Sequence, residues 1–153
     1  MTQPATTSPL FRRILCPTDF SPCSQHALQR ATELARATGS KLMLLHVLPV
    51  VTFPLPHLAA MTGLAELQMQ LRAQSEQNLQ KLRAGIAGIE VTTEVREGSA
   101  HAEILAAAAA TNADLIVIGT EGHTGLAHAL LGSTAERVVR LSKCPVMTVR
   151  TPG

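Results

Sequence analysis

The chain has 153 residues, of which 46% are hydrophobic and 16% charged, with a formal net charge of +2 at pH 7. That length suits one domain with a buried core, the composition is globular, and the charge is too small to draw a polyanionic partner. Tryptophan and tyrosine are absent and Phe11, Phe20 and Phe53 are the only aromatic residues, which argues against nucleic-acid binding by stacking on exposed rings.

Residues 1–10, rich in Thr, Ser and Pro, read as a flexible N-terminal tail, and 11–151 as a single domain. Arg12 to Cys16 is a short strand stopped by Pro17-Thr18-Asp19. Ser21 then has the side chain of an N-cap, and Pro22 fits the first helical position, where its missing donor costs nothing. Ala27, Leu28, Ala31, Leu34 and Ala35 recur at helical spacing, and Gly39 closes that helix. Lys41 to Leu48 is a second buried strand. Pro49 to Gly63 is a proline-bearing loop, long enough to be functional or mobile. Leu64 to Ala84 is strongly helical, with Leu64, Leu67, Leu71, Leu79 and Leu82 on one face, and Gly85 and Gly88 end it. Ile89 to Val95 alternates apolar and polar residues, as in a strand near a sheet edge. A short alanine-rich helix starts at Ser99 to Glu103, the strand Asp114 to Ile118 follows, a helix opens at Gly132-Ser133-Thr134, and Cys144 to Arg150 is the last strand.

Strands alternating with helices through short connections predict an α/β fold: a five-stranded, mostly parallel open sheet between two helical layers, a three-layer sandwich. Ligands of such sheets bind outside the carboxyl ends of the strands, where the strand order switches. Pro17, Thr18 and Asp19, then His46 to Leu48, then Gly119 to Gly122 stand at those ends. Glycine at 119 and 122 permits a sharp turn and close approach of a ligand to the main chain. Ser133 or Thr134 can cap the helix that follows while its free N–H groups point outward, an arrangement that attracts phosphate.

Each of these residues also has a plain structural role. Gly119 and Gly122 suit simple turn chemistry, Asp19 can stabilise its own turn, and His46, after four apolar residues, fits a satisfied core histidine. His26, His57, His101 and His128 have no partner at metal-ligand spacing. Cys16, Cys23 and Cys144 are odd in number and lack a metal-ligand pattern, so a reducing, cytoplasmic compartment is the default. Cys16 and Cys144 fit the core, whereas Cys23, early in a helix, is placed for a depressed pKa. No apolar run reaches membrane-spanning length and Met1 to Pro9 is polar, so neither an anchor nor a signal peptide is expected.

With those residues in place, the chain resembles the UspA-type universal stress protein family. The resemblance rests on Pro17-Thr18-Asp19-Phe20-Ser21, on Leu45-His46-Val47, on Gly119-x-x-Gly122 followed after nine residues by Gly132-Ser133, and on the wording of Leu130 to Val138 and Cys144-Pro145-Val146. It spans Phe11 to Arg150. It implies an adenine nucleotide alpha hydrolase-like sandwich, commonly dimeric, that binds ATP. Carried over by position, Asp19 lies by the adenosine and Val47 meets adenine through its backbone, and Pro17, Thr18, Ile118, Glu121 and His123 are counted with them as nucleotide-binding residues. Gly119 and Gly122 run along ribose and phosphate, and Gly132, Ser133 and Thr134 hold phosphates. The last strand, Val146 to Arg150, pairs across a two-fold axis.

Glu121 and His123 depart from the family, which often has His or Arg there. The carboxylate either weakens phosphate binding, accepts a ribose hydroxyl or helps to place Mg²⁺. The expectation is a cytoplasmic, homodimeric stress-response or signalling module that binds ATP, with no membrane or nucleic-acid partner. No catalytic residue or metal ligand is assigned. A P-loop is absent and the glycine loop carries no lysine, so at most slow ATP hydrolysis is expected. The alternative is an interaction module of the same fold that binds no nucleotide and docks protein partners on the Pro49 to Gly63 loop. An enzyme using Asp19 and His46 is a third reading.

Overall fold

Ile14, Leu15 and Cys16 form an unbroken apolar run in the first strand, and all three are buried. Successive strand residues point to opposite faces, so burial of the whole run requires cover on both sides. The computed structural model describes residues 9–51, 57, 61, 63–121 and 131–152, and it supplies that cover. The elements run β1 (Arg13–Pro17), α1 (Pro22–Thr38), β2 (Lys41–Leu48), α2 (Leu64–Ala84), β3 (Val91–Glu97), α3 (Ala100–Thr111), β4 (Leu115–Gly119), α4 (Ser133–Leu141) and β5 (Val146–Val149). Among the described residues the five strands make one sheet in the order β3-β2-β1-β4-β5, and every pairing is parallel.

The alternation sorts the core into two halves. Ile14, Cys16, Leu42, Leu44, Leu115 and Val117 face α1 and α2, packing on Ala27, Ala31, Ala35 and Leu79. Leu15, Leu45, Ile116 and Ile118 face the other way, onto Ile104 and Ala107 of α3 and Ala135 and Val138 of α4. Alanines at the α1 contact bring its backbone close to the sheet. The α/β sandwich expected from the sequence is therefore the observed fold.

Several boundaries move by a residue or two. Pro17 ends β1 rather than stopping it, because its position pairs with Leu45 and the ladder continues through Thr18 N–H to the Leu45 carbonyl at 2.8 Å. The strand expected from Asp114 begins at Leu115. Asp114 instead accepts from the N–H groups of Arg12 and Arg13 at 2.9 and 3.1 Å, tying the start of β1 to that of β4. β3 is an edge strand as expected, but it runs two residues later than Ile89 to Val95. β5 is shorter than its sequence pattern and forms the opposite edge.

The largest departure concerns α2. Leu79 is 1% exposed, but Leu67 and Leu71 from the same expected stripe are 50% and 44% exposed. Helical periodicity identifies an apolar stripe, whereas its cover depends on where the sheet ends. Here the helix packs along β3 and β2, with Ser75 and Leu79 its fully buried positions.

The cap of α1 follows the sequence reading. Ser21 has extended backbone, its Oγ accepts from Ser24 N–H at 3.2 Å, Pro22 opens the helix, and Gly39 closes it at a φ of 70°. Ser21→Ala is expected to cost about 1 kcal/mol in a urea melt, the usual worth of a side-chain cap. An unchanged midpoint would mean that water replaces the hydroxyl at that helix end.

Candidate functional site

From β1 the chain moves outward to β2 and β3, then returns to the other side of β1 as β4. The order therefore switches between β1 and β4, and neither crossover covers the crevice beyond their carboxyl ends. A cavity of about 320 Å³ opens there. Its walls come from five places: Pro17, Thr18 and Asp19 with Ser24 of α1; Leu45 and Val47 of β2; Ala100 and Ile104 of α3; Ile118 to Glu121; and Gly132 to Ala135 at the start of α4.

Of the expected site residues, Pro17, Thr18, Asp19, Val47, Ile118, Gly119, Glu121, Gly132, Ser133 and Thr134 all line this cavity. Gly122 and His123 lie outside the described residues. Sequence reasoning missed Ser24, Leu45, Thr120, Ala100, Ile104 and Ala135. Two of these had a signal: Leu45 shares the strand face of Val47 two residues on, and Ile104 stands one helical turn after Ala100. Nothing local marks α3 as the element that closes the apolar end.

The turn after β1 is fixed from several sides. Thr18 Oγ1 accepts from Phe20 N–H at 3.0 Å and lies 3.0 Å from Ser24 Oγ, which donates to the Ser21 carbonyl at 2.9 Å. Asp19 Oδ1 accepts from Ser21 N–H at 3.0 Å, so the turn-stabilising role of Asp19 is real and coexists with its place in the cavity wall. Phe20 has a φ of 64°, unusual for a bulky residue. Its ring lies 4.6 Å from that of His46, whose Nδ1 is 2.8 Å from the Thr18 carbonyl. His46 thus behaves as a packed, partnered histidine that braces the turn.

The two described glycines of the loop motif serve the protein's own packing. At Gly119 an added Cβ would stand 3.0 Å from Cys23 Sγ and 3.1 Å from the Cys23 carbonyl, so glycine lets α1 lie against the end of β4. At Gly132 it would stand 2.9 Å from the Thr120 carbonyl oxygen, the atom that accepts the Gly132 N–H at 2.6 Å. Neither has a left-handed φ, so the requirement is space. Thr120 is held in turn by its N–H on the Val149 carbonyl at 2.9 Å, which joins this corner to β5.

The capping expectation at α4 is corrected. Gly132 is the N-cap, with extended backbone and no side-chain cap bond, and Ser133 and Thr134 are the first helical residues. Glu136 N–H makes the first helical bond, to the Gly132 carbonyl, at 2.9 Å. The N–H groups of Ser133, Thr134 and Ala135 precede it and have no helical partner, and all three residues line the cavity. A nine-residue helix with such an end presents partial positive charge there. Among the described lining residues the charged ones are Asp19 and Glu121, and none is Lys, Arg or His.

No group of His, Cys, Asp and Glu among the described residues has metal-binding geometry. Cys16 is fully buried and burial pushes its thiol up to about 12. Burial raises the Cys23 thiol too, but hydrogen bonds from the Thr151 hydroxyl and from Glu121 and Thr120 outweigh it and leave the thiol below its usual value. Cys144 is half-buried against the α3–α4 side of the core. No helix among the described residues is long and apolar enough to cross a membrane.

Residues 10–150 match the Universal stress protein family. Universal stress protein MJ0531 of Methanocaldococcus jannaschii is 36% identical over 146 residues, covering 94% of this chain and 84% of its own. Among solved structures, that of MJ0577 from the same organism superposes with a TM-score of 0.81 at 27% identity, covering 93% of this chain and 97% of its own. A universal stress protein crystallised in complex with cAMP superposes with a TM-score of 0.59 at 27% identity, covering 91% of this chain and 96% of its own.

Proposed function

The chain belongs to the universal stress protein family, and we propose that it binds an adenine nucleotide, ATP foremost, in the crevice between β1 and β4. The observation that carries this reading is the convergence on one cavity of the ends of β1, β2 and β4 with the first turn of α4. Leu45, Val47, Ile104 and Ile118 make an apolar end suited to a base, with Val47 meeting adenine through its backbone. Asp19, with Pro17 and Thr18, takes the adenosine side, and Gly119 with Gly122 the ribose and phosphate. Gly132, Ser133 and Thr134 hold phosphate through N–H and hydroxyl groups, as helix starts do elsewhere. The cAMP complex of a relative supports the ligand class.

The protein acts, in this reading, as a cytoplasmic stress-response or signalling module whose state is set by ligand occupancy, with ATP hydrolysis slow at most. It pairs with a second copy through Val146 to Arg150, since among the described residues the outer edge of β5 has no strand beside it. A second reading, an interaction module without nucleotide, is favoured by the exposed Leu67, Met69 and Leu71 on α2. Its expected docking loop, Pro49 to Gly63, falls largely outside the described residues.

Mass spectrometry of small molecules released from freshly purified protein, followed by calorimetric titration of the stripped protein with ATP and Mg²⁺, separates the two readings. Released adenine nucleotide and a saturable titration support the binder. If neither ATP nor any other adenine nucleotide titrates, the interaction module takes its place.

A further inference from the structure

We infer that the hydroxyls of Thr18 and Ser24 form an acceptor-only receptor for a ribose hydroxyl, so that the cavity prefers a ribonucleotide to analogues whose sugar cannot donate a hydrogen bond. This rests on the nucleotide reading above and assigns two specificity-determining residues within that site. The directions of the hydrogen bonds carry it. Both residues line the cavity and each is 5% exposed. Each hydroxyl has one hydrogen and two lone pairs. Ser24 Oγ lies 2.9 Å from the Ser21 carbonyl, which can only accept, and 3.0 Å from Thr18 Oγ1. Both bonds are made only if Ser24 gives its hydrogen to Ser21 and Thr18 gives its hydrogen to Ser24. Thr18 Oγ1 also accepts from Phe20 N–H at 3.0 Å. Among the described residues, each oxygen is left with one lone pair and no hydrogen to give.

That polarity sorts the parts of a nucleotide. A phosphate oxygen at neutral pH accepts and cannot donate, so it gains nothing from this pair, whereas a sugar hydroxyl can give it a hydrogen. Position agrees with chemistry. Thr18 follows β1 and Ser24 lies in the first turn of α1, which packs on the opposite face of the sheet from α3 and α4. The apolar end for the base is closed by α3, and the open N–H groups for phosphate belong to α4. The hydroxyl pair therefore belongs to neither end, and the sugar that joins base to phosphate is the part that reaches it.

The test is a calorimetric series on ligand-stripped protein in excess Mg²⁺. ATP is compared with analogues in which the 2′- or the 3′-hydroxyl is replaced by fluorine, which cannot donate, or by an amino group, which can. Base and phosphate tail stay constant across the series, so only the sugar contact varies. At one of the two positions the fluoro analogue should bind about threefold to tenfold more weakly than ATP, the usual net worth of one hydrogen bond, and the amino analogue should bind nearly as well as ATP. The position that shows the loss identifies the hydroxyl. In Ser24→Ala, Thr18 has a hydrogen to give, so the gap between fluoro and amino analogues should close. That ratio is the readout because a general loss of pocket integrity weakens both and leaves it unchanged. A gap that persists in a folded Ser24→Ala would overturn the inference. Fluoro analogues that bind as well as ATP at both positions would overturn it on the parent alone and leave nucleotide binding standing. Absence of binding by ATP and every analogue would sink the nucleotide reading together with the inference.

Discussion

Gly132→Val is expected to destabilise the ligand-free protein by about 1–3 kcal/mol, the cost of forcing extra atoms into a filled site. The cause is local and steric. The first added carbon would stand 2.9 Å from the Thr120 carbonyl oxygen, and that atom is backbone, held at 2.6 Å by the Gly132 N–H itself. It cannot swing aside as a side-chain tip would. Thr120 is anchored further by its N–H on Val149, so displacement of its peptide disturbs β5 as well as the start of α4. Two terms oppose the loss. The glycine sits at φ −66° and ψ 157°, which valine adopts readily, and removing glycine from the unfolded chain returns about 0.4–1 kcal/mol. Overpacking should still win. A urea melt of the stripped protein measures the difference, and a midpoint equal to the parent's would show that the corner between Thr120 and Gly132 yields without cost. Loss of nucleotide from this variant therefore cannot by itself be read as exclusion of phosphate.

The glycine motif illustrates what was legible in the sequence and what was not. Its spacing drew attention to the corner where β4, α4 and the crevice meet. The reason for glycine at 119 and 132 was invisible, because the atoms that need the space belong to Cys23 and to Thr120. Helix starts show the same limit: Ser21 was legible as a cap because Pro22 follows it, whereas Gly132-Ser133-Thr134 offers three residues able to take the position and the chain uses the first. Strand runs were legible for a physical reason, since short, β-branched, unbroken apolar stretches such as Leu115 to Ile118 suit a strand covered on both faces. The apolar stripe of α2 was legible as a helix but not as half-exposed, because cover is a property of the neighbouring layer. Asp114 read as the first strand residue, and its pairing with Arg12 and Arg13, about a hundred positions away, is a fact of topology alone.

A cleaner probe of the cavity than either glycine stands at the start of α3. Ala100 opens α3, is half-buried, and faces the crevice with Ile104 one turn on. Ala100→Phe should weaken adenine nucleotide binding by about a hundredfold or more, equivalent to about 2.7 kcal/mol, while leaving the fold intact. Leu45, Val47, Ile104 and Ile118 offer the ring an apolar wall, so it is drawn into the cavity rather than out to solvent. There it occupies the space assigned to the base. The helix cost of phenylalanine against alanine is about 0.5 kcal/mol, and burial of the ring in an otherwise open apolar pocket offsets it. Stability is therefore expected to hold or rise, the opposite sign from Gly132→Val. Ala100→Leu should give an intermediate loss of affinity, since the effect follows the volume inserted. Calorimetric titration with the parent's preferred nucleotide, paired with a urea melt, reads both quantities. Undiminished binding by a folded Ala100→Phe would place the nucleotide elsewhere than this cavity. A graded loss at constant stability would fix the base at its α3 end and leave phosphate recognition to the first turn of α4.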